Sequence, residues 1–423
     1  MHVQLNYGKS HITLDLSKLE NASVISGRNI DPLANLSTEV SLKLQHPTGK
    51  HRLADEIKQK NAENVLIIIN DITRPTPYKH ILPPILEELH KADVPIEGIT
   101  FLIATGIHRE MTVDEIRTVV GSELVNTYEA INHNCDEKDN LVYIGTLKFG
   151  TEFYVNRHCV DSDFVIVTGV IAPHYFAGYS GGRKSILPGI SGRQTIKHNH
   201  ALMASEEART CNLDGNPVHL EMIDAARKVG VDFMVNIVTD SHGRAVEVVA
   251  GDVEEAWLEG VQIGRELFVT HIDELADVVI ACAGGYPKDI NVYQTQKAID
   301  NAARATAPGG TIIILAECPE GLGEPTFEKW MFEAKSPDDV LMRFSSGFEL
   351  GGHKAYSLAK VSKNKEIVLV SGLDDDIVRK MFLTPAKDLE QALQYVRAKH
   401  GPDHKCIVMP KAGTIVPLLE VVR

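Results

Sequence analysis

The 423-residue sequence predicts an α/β protein of two domains, each with a parallel or mixed sheet flanked by helices. Short apolar runs alternate with segments of helical periodicity, which is typical of α/β layers. The alternation starts again near residue 270, so we predict an N-terminal domain at 1–270 and a C-terminal domain at 271–423. Ligands of such sheets bind at the carboxyl ends of the strands. We therefore expect the active site in the cleft between the domains. Packing of the last segment against the N-terminal domain is left open.

The N-terminal half supports this prediction element by element. The first sixteen residues alternate apolar and polar side chains, which favours a strand. A helix over 112–125 is expected to begin with a capping box, because Thr112 and Glu115 have the required spacing. Residues 232–252 predict a hairpin that turns near His242. The other elements predicted here are strands at 64–71, 99–106 and 163–171 and a helix at 77–95 with an early Pro-Pro irregularity.

The C-terminal half repeats the alternation of strands and helices. Its apolar runs are four to eight residues long, as expected for buried strands of a parallel sheet. The predicted strands are 277–285, 309–318 and 366–372, the predicted helices are 291–306, 337–346, 374–382 and 388–401, and the segment 405–419 closes the chain.

Composition narrows the class of function. The net charge of −14 argues against a nucleic-acid partner, because phosphate binding requires a basic face. The apolar runs are too short to span a membrane, and the N-terminus lacks the apolar core of a signal peptide. The six cysteines are scattered and form no CxxC pair, which favours a reducing, cytoplasmic location. Local positive charge in so acidic a chain indicates a small anionic ligand.

Two loops that follow predicted strands carry polar chemistry. Asp71, Thr73 and Arg74 precede prolines that suit a first helical turn, and Arg74 can bind a carboxylate or a phosphate. A capped helix with a surface arginine explains the same residues. His108 follows the next strand, where an imidazole suits acid/base chemistry, although a hydrogen-bonded loop histidine is an equal explanation. The convergence of several such loops favours anion binding.

The segment 171–200 is long, rich in glycine and basic. His174 lies near its start, and the glycines within 178–182 allow the backbone to approach a ligand closely. The Gly-Gly-Arg-Lys sequence does not match GxxxxGK[ST], so a Walker nucleotide triphosphatase is not predicted. Lys184 can act as a nucleophile if its surroundings lower its pKa, whereas the residues alone favour an ionic contact.

Histidines near the end of this segment raise the question of a metal. His198 and His200 are two residues apart, so on a helix they lie on different faces. Only one of them is therefore expected to be a metal ligand. A zinc-dependent hydrolase built on His174 and these two histidines is one alternative function. A non-catalytic protein that binds an anionic metabolite is another.

The second half contributes one further cluster. Tyr293, Gln294 and Lys297 follow its first strand, and the last two are three apart on one helical face. They can point at a carboxylate, and a solvated helix start explains them equally.

Four segments together resemble the nickel-dependent lactate racemase family of 2-hydroxy acid racemases and epimerases. They are DITRPTP at 71–77, TGIHRE at 105–110, HYFAGYSGGRKSILPGI at 174–190 and YQTQKA at 293–298, in the family's order. The resemblance implies an isomerase that moves a hydride reversibly between the Cα of a small 2-hydroxy acid and a covalently bound nickel-pincer nucleotide. This group is a pyridinium mononucleotide whose two sulfur-containing arms hold nickel. Separate enzymes make it, so the resemblance implies those enzymes as partners and a recombinant protein that can lack the cofactor.

The resemblance also assigns residues to roles. Lys184 is joined to the cofactor through a thioamide, and His108 and His174 form an acid/base pair. His200 completes the nickel coordination, with His198 as the competitor. The cofactor contacts that it implies are Asp71, Ile72, Thr73 and Arg74, and the substrate contacts that it implies are Gln294 and Lys297. We also expect Tyr293 and His353 to contact the substrate.

One departure from the family concerns the substrate. Lactate-acting members carry a tryptophan in the second domain that shapes a small pocket. The matching region, 348–360, contains His353-Lys354 and no tryptophan, and Trp257 and Trp330 lie elsewhere in the sequence. We therefore predict a substrate other than lactate, such as a sugar acid or another polar 2-hydroxy acid. Whether the chain forms a homo-oligomer is left open.

Overall fold

The computed structural model describes residues 2–19, 21–28, 30–349 and 351–420 and separates them into two compact units. One unit comprises the described residues within 29–267, and the other comprises those within 1–28 and 268–423. The boundary between residues 267 and 268 lies close to the restart expected near residue 270. The boundary between residues 28 and 29 was not expected, because the residues before it belong with the C-terminal half.

The elements of the first part of the chain are these, in order. They are β1 His2–Tyr7, β2 Ser10–Asp15, β3 Asn21–Val24, α1 Leu36–Gln45, α2 Leu53–Lys60, β4 Val65–Asn70, α3 Tyr78–Lys91, β5 Ile99–Ala104, α4 Val113–Val120, α5 Ser122–Thr127, β6 Glu129–Asn132, β7 Leu141–Thr146, β8 Glu152–Asn156, α6 Arg157–Asp161, β9 Phe164–Ile171, β10 Pro173–His174, β11 Gly178–Tyr179, α7 Arg193–Ala201, α8 Pro217–Val229, β12 Phe233–Thr239 and β13 Ala245–Gly251.

The remaining elements begin with α9, which ends the unit within 29–267, and continue with those of the second unit. They are α9 Glu255–Phe268, β14 Val269–Ile272, β15 Ala276–Cys282, α10 Val292–Ala305, β16 Thr306–Leu315, α11 Pro325–Glu333, α12 Pro337–Ser346, α13 Gly352–Asn364, β17 Glu366–Val370, α14 Asp375–Lys380, β18 Thr384–Ala386, α15 Leu389–His400, β19 Lys405–Met409 and β20 Val416–Leu419.

The unit within 29–267 is built on a six-stranded sheet of order β13-β12-β9-β4-β5-β6. β12 and β13 form an antiparallel hairpin, and the other neighbours run parallel. The five apolar residues of β4 are all buried, as expected for a parallel strand covered on both faces. Since β9, β4 and β5 are parallel neighbours, the loops that follow them leave the sheet at one edge. This edge carries most of the predicted site.

The second unit contains a parallel sheet of order β18-β17-β16-β15-β19-β3. The N-terminal β3 pairs with the late β19, with Asn21 opposite Lys405, and this pairing explains why the first residues belong to the second unit. β20 pairs with β14, so the last strand stays in the same unit. The two six-stranded sheets confirm the predicted α/β class.

Local predictions can be compared with the structure. Thr112 and Glu115 form the expected capping box at α4. The single helix predicted over 112–125 is wrong: it divides into α4 and α5 at Gly121, whose φ of +103° is incompatible with a continuous helix. The hairpin of β12 and β13 is confirmed, and residues 2–15 form a hairpin of β1 and β2 rather than one strand. Among the described residues, none of the helices combines the length and apolarity that a bilayer crossing requires.

Candidate active site

The loops after β4, β5 and β9 meet at the carboxyl edge of the first sheet. The loop after β5 is tied to the end of the glycine-rich segment, because the Gly106 N–H donates to the Gly189 carbonyl at 2.9 Å. Ser185 Oγ donates to the Thr168 carbonyl of β9 at 3.1 Å, which fixes the turn that carries Lys184 against the sheet. The strand order thus explains why residues more than one hundred positions apart share one edge.

The first pair at this edge is Asp71 with His108. His108 Nδ1 lies 2.6 Å from Asp71 Oδ2, while Thr73 Oγ1 donates to Asp71 Oδ1 at 2.6 Å. Burial would raise the pKa of Asp71, but the hydrogen bonds from His108 and Thr73 outweigh burial and lower it. The ionised carboxylate requires a proton on Nδ1, which leaves Nε2 as the basic nitrogen of neutral His108. The His108 side chain is 38% exposed, so the imidazole is not enclosed by the protein.

The second pair is His174 with Lys184. Lys184 Nζ lies 3.4 Å from His174 Nε2, and the Ala177 N–H donates to His174 Nδ1 at 3.3 Å. Burial, followed by the charges of Arg183 and Arg74, lowers the pKa of Lys184 well below its ordinary value. Because Nδ1 accepts from the Ala177 N–H, the proton of neutral His174 lies on Nε2, from which it can be donated to the unprotonated form of the Lys184 amine. The contacts therefore assign opposite tautomers to the two histidines, with the proton on Nδ1 in His108 and on Nε2 in His174.

One aromatic ring joins three of the predicted residues. The centroid of the Phe176 ring lies 4.6 Å from that of His174 and 5.0 Å from that of His200. Lys184 Nζ lies 5.6 Å from the same centroid. His200 is buried in α7, whereas His198 on the same helix is exposed. The histidines thus lie on different faces, and it is His200 that approaches the surroundings of Lys184.

The loop after β4 is divided in its exposure. Asp71 is buried, and Ile72, Thr73 and Arg74 are exposed. Arg74 lies near enough for its charge to lower the pKa of Lys184. The side chain of Ile72 offers only van der Waals contact. The loop therefore presents the Arg74 cation and the Thr73 hydroxyl near the Asp71–His108 pair and Lys184. A cation and a hydroxyl suit an anionic ligand.

The expected substrate contacts lie in the second unit. Asn291 caps α10 by accepting a hydrogen bond from the Gln294 N–H at 2.9 Å. Gln294 and Lys297 both lie on the exposed side of this helix, as their spacing predicts. Tyr293 is half-buried and lies at its first turn.

His353 lies deeper than its predicted role suggests. Its ring packs against those of Phe348 and Tyr293, with centroid distances of 5.8 and 6.4 Å. Burial, aided by the charge of Lys354, lowers the pKa of His353 to about 3. Lys354 Nζ donates to the Tyr293 carbonyl and lies 3.9 Å from the centroid of the Tyr293 ring. His353 and Lys354 therefore determine the surroundings of Tyr293.

Trp330 joins this cluster through space, although its sequence context gave no such indication. A Cβ added to Gly352 would lie 2.6 Å from the Trp330 ring, so the indole packs directly against the start of α13. Trp330 is 2% exposed, and its Nε1 donates to Glu349 Oε2 at 2.8 Å. The tryptophan is thus enclosed by the protein.

Sequence reasoning missed several residues that shape the first edge. Phe176 contacts three predicted site residues, yet a phenylalanine in a loop carries no distinctive sequence signal. Asn236 Oδ1 accepts a hydrogen bond from the Gly182 N–H at 2.7 Å, and Trp257 packs against the same glycine. Arg183 is fully buried, and the only available signal was its position beside Lys184.

The described residues contain no group of three or more His, Cys, Asp or Glu side chains that could hold a metal ion. A protein site for zinc normally uses three or four such ligands, so the zinc alternative lacks geometric support. His200 nevertheless offers one buried imidazole, a ligand type that suits nickel. A metal at this edge would need most of its ligands from an organic group.

Comparisons with known proteins identify the family of the chain. The family model described as the lactate racemase N-terminal domain matches residues 7–211, and the one described as the lactate racemase C-terminal domain matches residues 272–416. A lactate racemase of Thermoanaerobacterium thermosaccharolyticum is 36% identical over 98% of this chain and 99% of its own length. One of Lactiplantibacillus plantarum is 33% identical over the same shares.

Solved structures support the same conclusion. The structure of the lactate racemase apoprotein from T. thermosaccharolyticum matches with a TM-score of 0.90 and 34% identity, over 99% of this chain and 100% of that chain. A Thermotoga maritima protein matches with a TM-score of 0.64 at 17% identity, over 94% of this chain and 100% of its own, which shows the shared fold alone. The family resemblance seen in the sequence is confirmed. The chain belongs to the lactate racemase family and is an isomerase of that family.

Proposed function

We propose that this protein racemises or epimerises a small 2-hydroxy acid, with a nickel-pincer nucleotide attached to Lys184. The observation that carries the proposal is the pairing of Lys184 with His174 beside the pair of Asp71 with His108 at one sheet edge. A base and an acid that exchange roles are what a reaction with two mirror-related substrates requires.

The residues present fit such a cofactor. Lys184 offers an amine whose pKa is lowered by burial and by the charges of Arg183 and Arg74, and attachment through nitrogen uses the unprotonated form that this shift favours. His200 offers one imidazole, and the pincer arms would provide the other metal ligands. Arg74 would hold the phosphate. When bound, the group supplies a ring that accepts the Cα hydride of the substrate and returns it.

The protein's own residues would move the proton. With Nε2 unprotonated, His108 is arranged to take the hydroxyl proton of one enantiomer, and Asp71 stabilises the imidazolium that results. With a proton on Nε2, His174 is arranged to return a proton to the opposite enantiomer. The roles exchange when the reaction runs backward.

Attachment at Lys184 would also release His174. The free amine accepts a hydrogen bond from Nε2, but a nitrogen in an amide-like bond delocalises its lone pair and accepts poorly. The Nε2–H of His174 would then be available to the substrate oxygen.

For the substrate, we propose an acid more polar than lactate. Tyr293 is flanked by the buried residues His353 and Lys354, and the nearby Trp330 is enclosed. A cation beside Tyr293 would favour a distal hydroxyl or carboxylate, as in a sugar acid or a dicarboxylate. Lactate is the second candidate, since two relatives similar over nearly the full length are lactate racemases.

The attachment can be tested by intact mass and metal analysis. The full chain would be produced together with the cofactor-synthesis enzymes. We expect an adduct on Lys184 and nickel near one atom per chain, and Lys184→Ala should lose both. Lys197→Ala is the matched control, since Lys197 is an exposed lysine on α7. Loaded protein with the adduct on another residue would contradict the proposal.

The substrate proposal needs a separate measurement. Loaded enzyme would be given single enantiomers of lactate, malate and aldonic acids, and inversion would be followed by chiral chromatography. We expect the higher kcat/KM on the more oxygenated acids. Preference for lactate by a wide margin would refute this part and leave the attachment proposal unaffected.

A further inference from the structure

Arg183 is a buried cation without a counter-ion. Its exposure is 0%, and within the described part of the chain no carboxylate forms an ion pair with it. A buried charge without a partner is costly, so such residues persist where their hydrogen bonds serve the structure or the site. The proton transfer and the cofactor attachment proposed above do not use the side chain of Arg183.

The guanidinium instead donates to the backbone of its own loop. Nη1 donates to the Tyr179 carbonyl at 2.9 Å and, at longer range, to the carbonyls of residues 180 and 181, while Nη2 donates to the Ala177 carbonyl at 2.8 Å. Nε donates to His219 Nδ1 at 3.2 Å, and the guanidinium lies 3.7 Å from the centroid of a Trp257 ring. The planar fork therefore closes the loop 177–181 upon itself.

This closed loop connects the two members of the second pair. Ala177, whose carbonyl accepts from Arg183, donates its own N–H to His174. Lys184 directly follows Arg183 in the chain, so the same side chain fixes the start of its turn. The distance of 3.4 Å between Lys184 Nζ and His174 Nε2 depends on both ends of this loop.

We propose that Arg183 is a positioning residue that holds the Lys184 amine beside His174 and sets the reactivity of that amine before the cofactor is attached. The inference rests on the proposed attachment at Lys184. It is independent of the substrate and of any step of the racemisation.

Electrostatics act in the same direction as geometry. Burial is the first cause of the lowered pKa of Lys184, and the charge of Arg183 is the second. The other ionisable groups that face the amine are Arg74 from the loop after β4 and His174 from β10. An unbraced loop would let the amine reach water, so both the lost charge and the lost burial would raise this pKa.

The test measures Lys184 itself in the full-length, cofactor-free protein. Brief treatment with acetic anhydride acetylates neutral amines: nitrogen bonds to the acyl carbon, acetate leaves and a proton is released. The acetylation rate of Lys184 would be measured by mass spectrometry of its peptide from about pH 5 up to about pH 10, close to the ordinary pKa of lysine. Lys197 would serve as the internal reference. In the wild type, Lys184 should react at much lower pH than Lys197.

Arg183→Gln should raise the midpoint of the Lys184 profile and slow its acetylation at neutral pH by about tenfold for each pKa unit. Lysine at 183 keeps a charge but not the planar fork, so Arg183→Lys should recover only part of the rate. Arg209→Gln is the matched control, because that exposed arginine forms its ion pair with exposed Glu207. Circular dichroism would establish that each variant is folded.

His219→Phe serves if Arg183→Gln fails to fold. This change keeps a ring against Trp257 and removes the acceptor of Arg183 Nε, so a smaller shift in the same direction is expected. A Lys184 profile that matches the wild type in a folded Arg183 or His219 variant would overturn the inference. If the profile shifts but protein from the co-production experiment carries no adduct, Arg183 still positions the Lys184 amine, and it is the proposed attachment that fails.

Discussion

The two histidines at the edge of the first sheet lie in contrasting surroundings. His108 contacts an ionised carboxylate, and more than a third of its side chain is exposed. His174 contacts an amine whose pKa is lowered and lies among aromatic rings. The carboxylate of Asp71 stabilises an imidazolium at His108, whereas the amine of Lys184 does not stabilise one at His174. In the proposed reaction, these different surroundings would suit the two histidines to opposite halves of a proton exchange.

The largest effect should come from removing either imidazole. His108→Gln and His174→Gln keep a polar side chain but cannot exchange protons near neutral pH. General acid/base catalysis contributes about 10²–10⁴-fold, so we expect kcat to fall by that amount in each variant. Initial rates of inversion, measured from each enantiomer with loaded protein, provide the test.

Measuring the reaction from each enantiomer separately distinguishes the role of His108 from that of His174. Primary solvent isotope effects should change differently for the two enantiomers in each variant, because different histidines take the proton. His242→Gln, in the exposed turn between β12 and β13, is the control and should retain full activity. A variant at 108 or 174 that keeps wild-type kcat would remove that residue from the proposed pair.

A smaller effect is expected from the carboxylate behind His108. Asp71→Asn keeps the size of the side chain, but its amide can donate to Nδ1 and thus favour the wrong tautomer. Loss of such an orienting partner costs about 10–100-fold in activity. We expect kcat per nickel-loaded chain to fall by that amount, with the nickel content and the Lys184 adduct measured for each preparation so that any loss of cofactor is corrected for. An unchanged kcat would show that His108 does not depend on Asp71.

The sequence predicts some of this contrast and misses the rest for a physical reason. Motif order identified His108, His174 and Lys184, and the parallel strand pattern predicted that their loops share an edge. The contact of His174 with Lys184 depends on the loop braced by Arg183, which packs against Trp257 from a distant helix. Such long-range packing leaves no local signal. The N-terminal β3 was assigned to the wrong domain for the same reason, since its partner β19 lies almost four hundred residues away.

Thr73 should give a weaker version of the Asp71 result. Its hydroxyl donates to Asp71 Oδ1 at 2.6 Å and contributes to the lowered pKa of that carboxyl. Thr73→Val removes one hydrogen bond of about 1 kcal/mol, so a decrease of several-fold in kcat is expected. The pH at which activity is lost on the acid side should also rise, because the pKa of Asp71 moves back toward its ordinary value. A profile identical to that of the wild type would separate Thr73 from the function of the pair.

The smallest effect concerns the stability of the cofactor-free protein. Because the pKa of Lys184 is lowered in the folded state, the unfolded chain binds more protons between the folded value and lysine's ordinary value. The free energy of unfolding must therefore rise with pH through that window, and at neutral pH the wild type carries a penalty that Lys184→Met lacks. We expect the difference in Tm, variant minus wild type, to be largest below the folded pKa of Lys184 and to shrink as the pH rises from there toward about 10.5, lysine's ordinary pKa. For a domain of 150–250 residues, a change of 1 kcal/mol in the free energy of unfolding shifts Tm by about 2–4 °C, which scanning calorimetry resolves.

Lys197→Met, at an exposed position, is the control and should show no such trend with pH. A difference that stays constant with pH would mean that Lys184 is charged in the folded protein, and the contrast between the two histidine pairs would lose its physical basis.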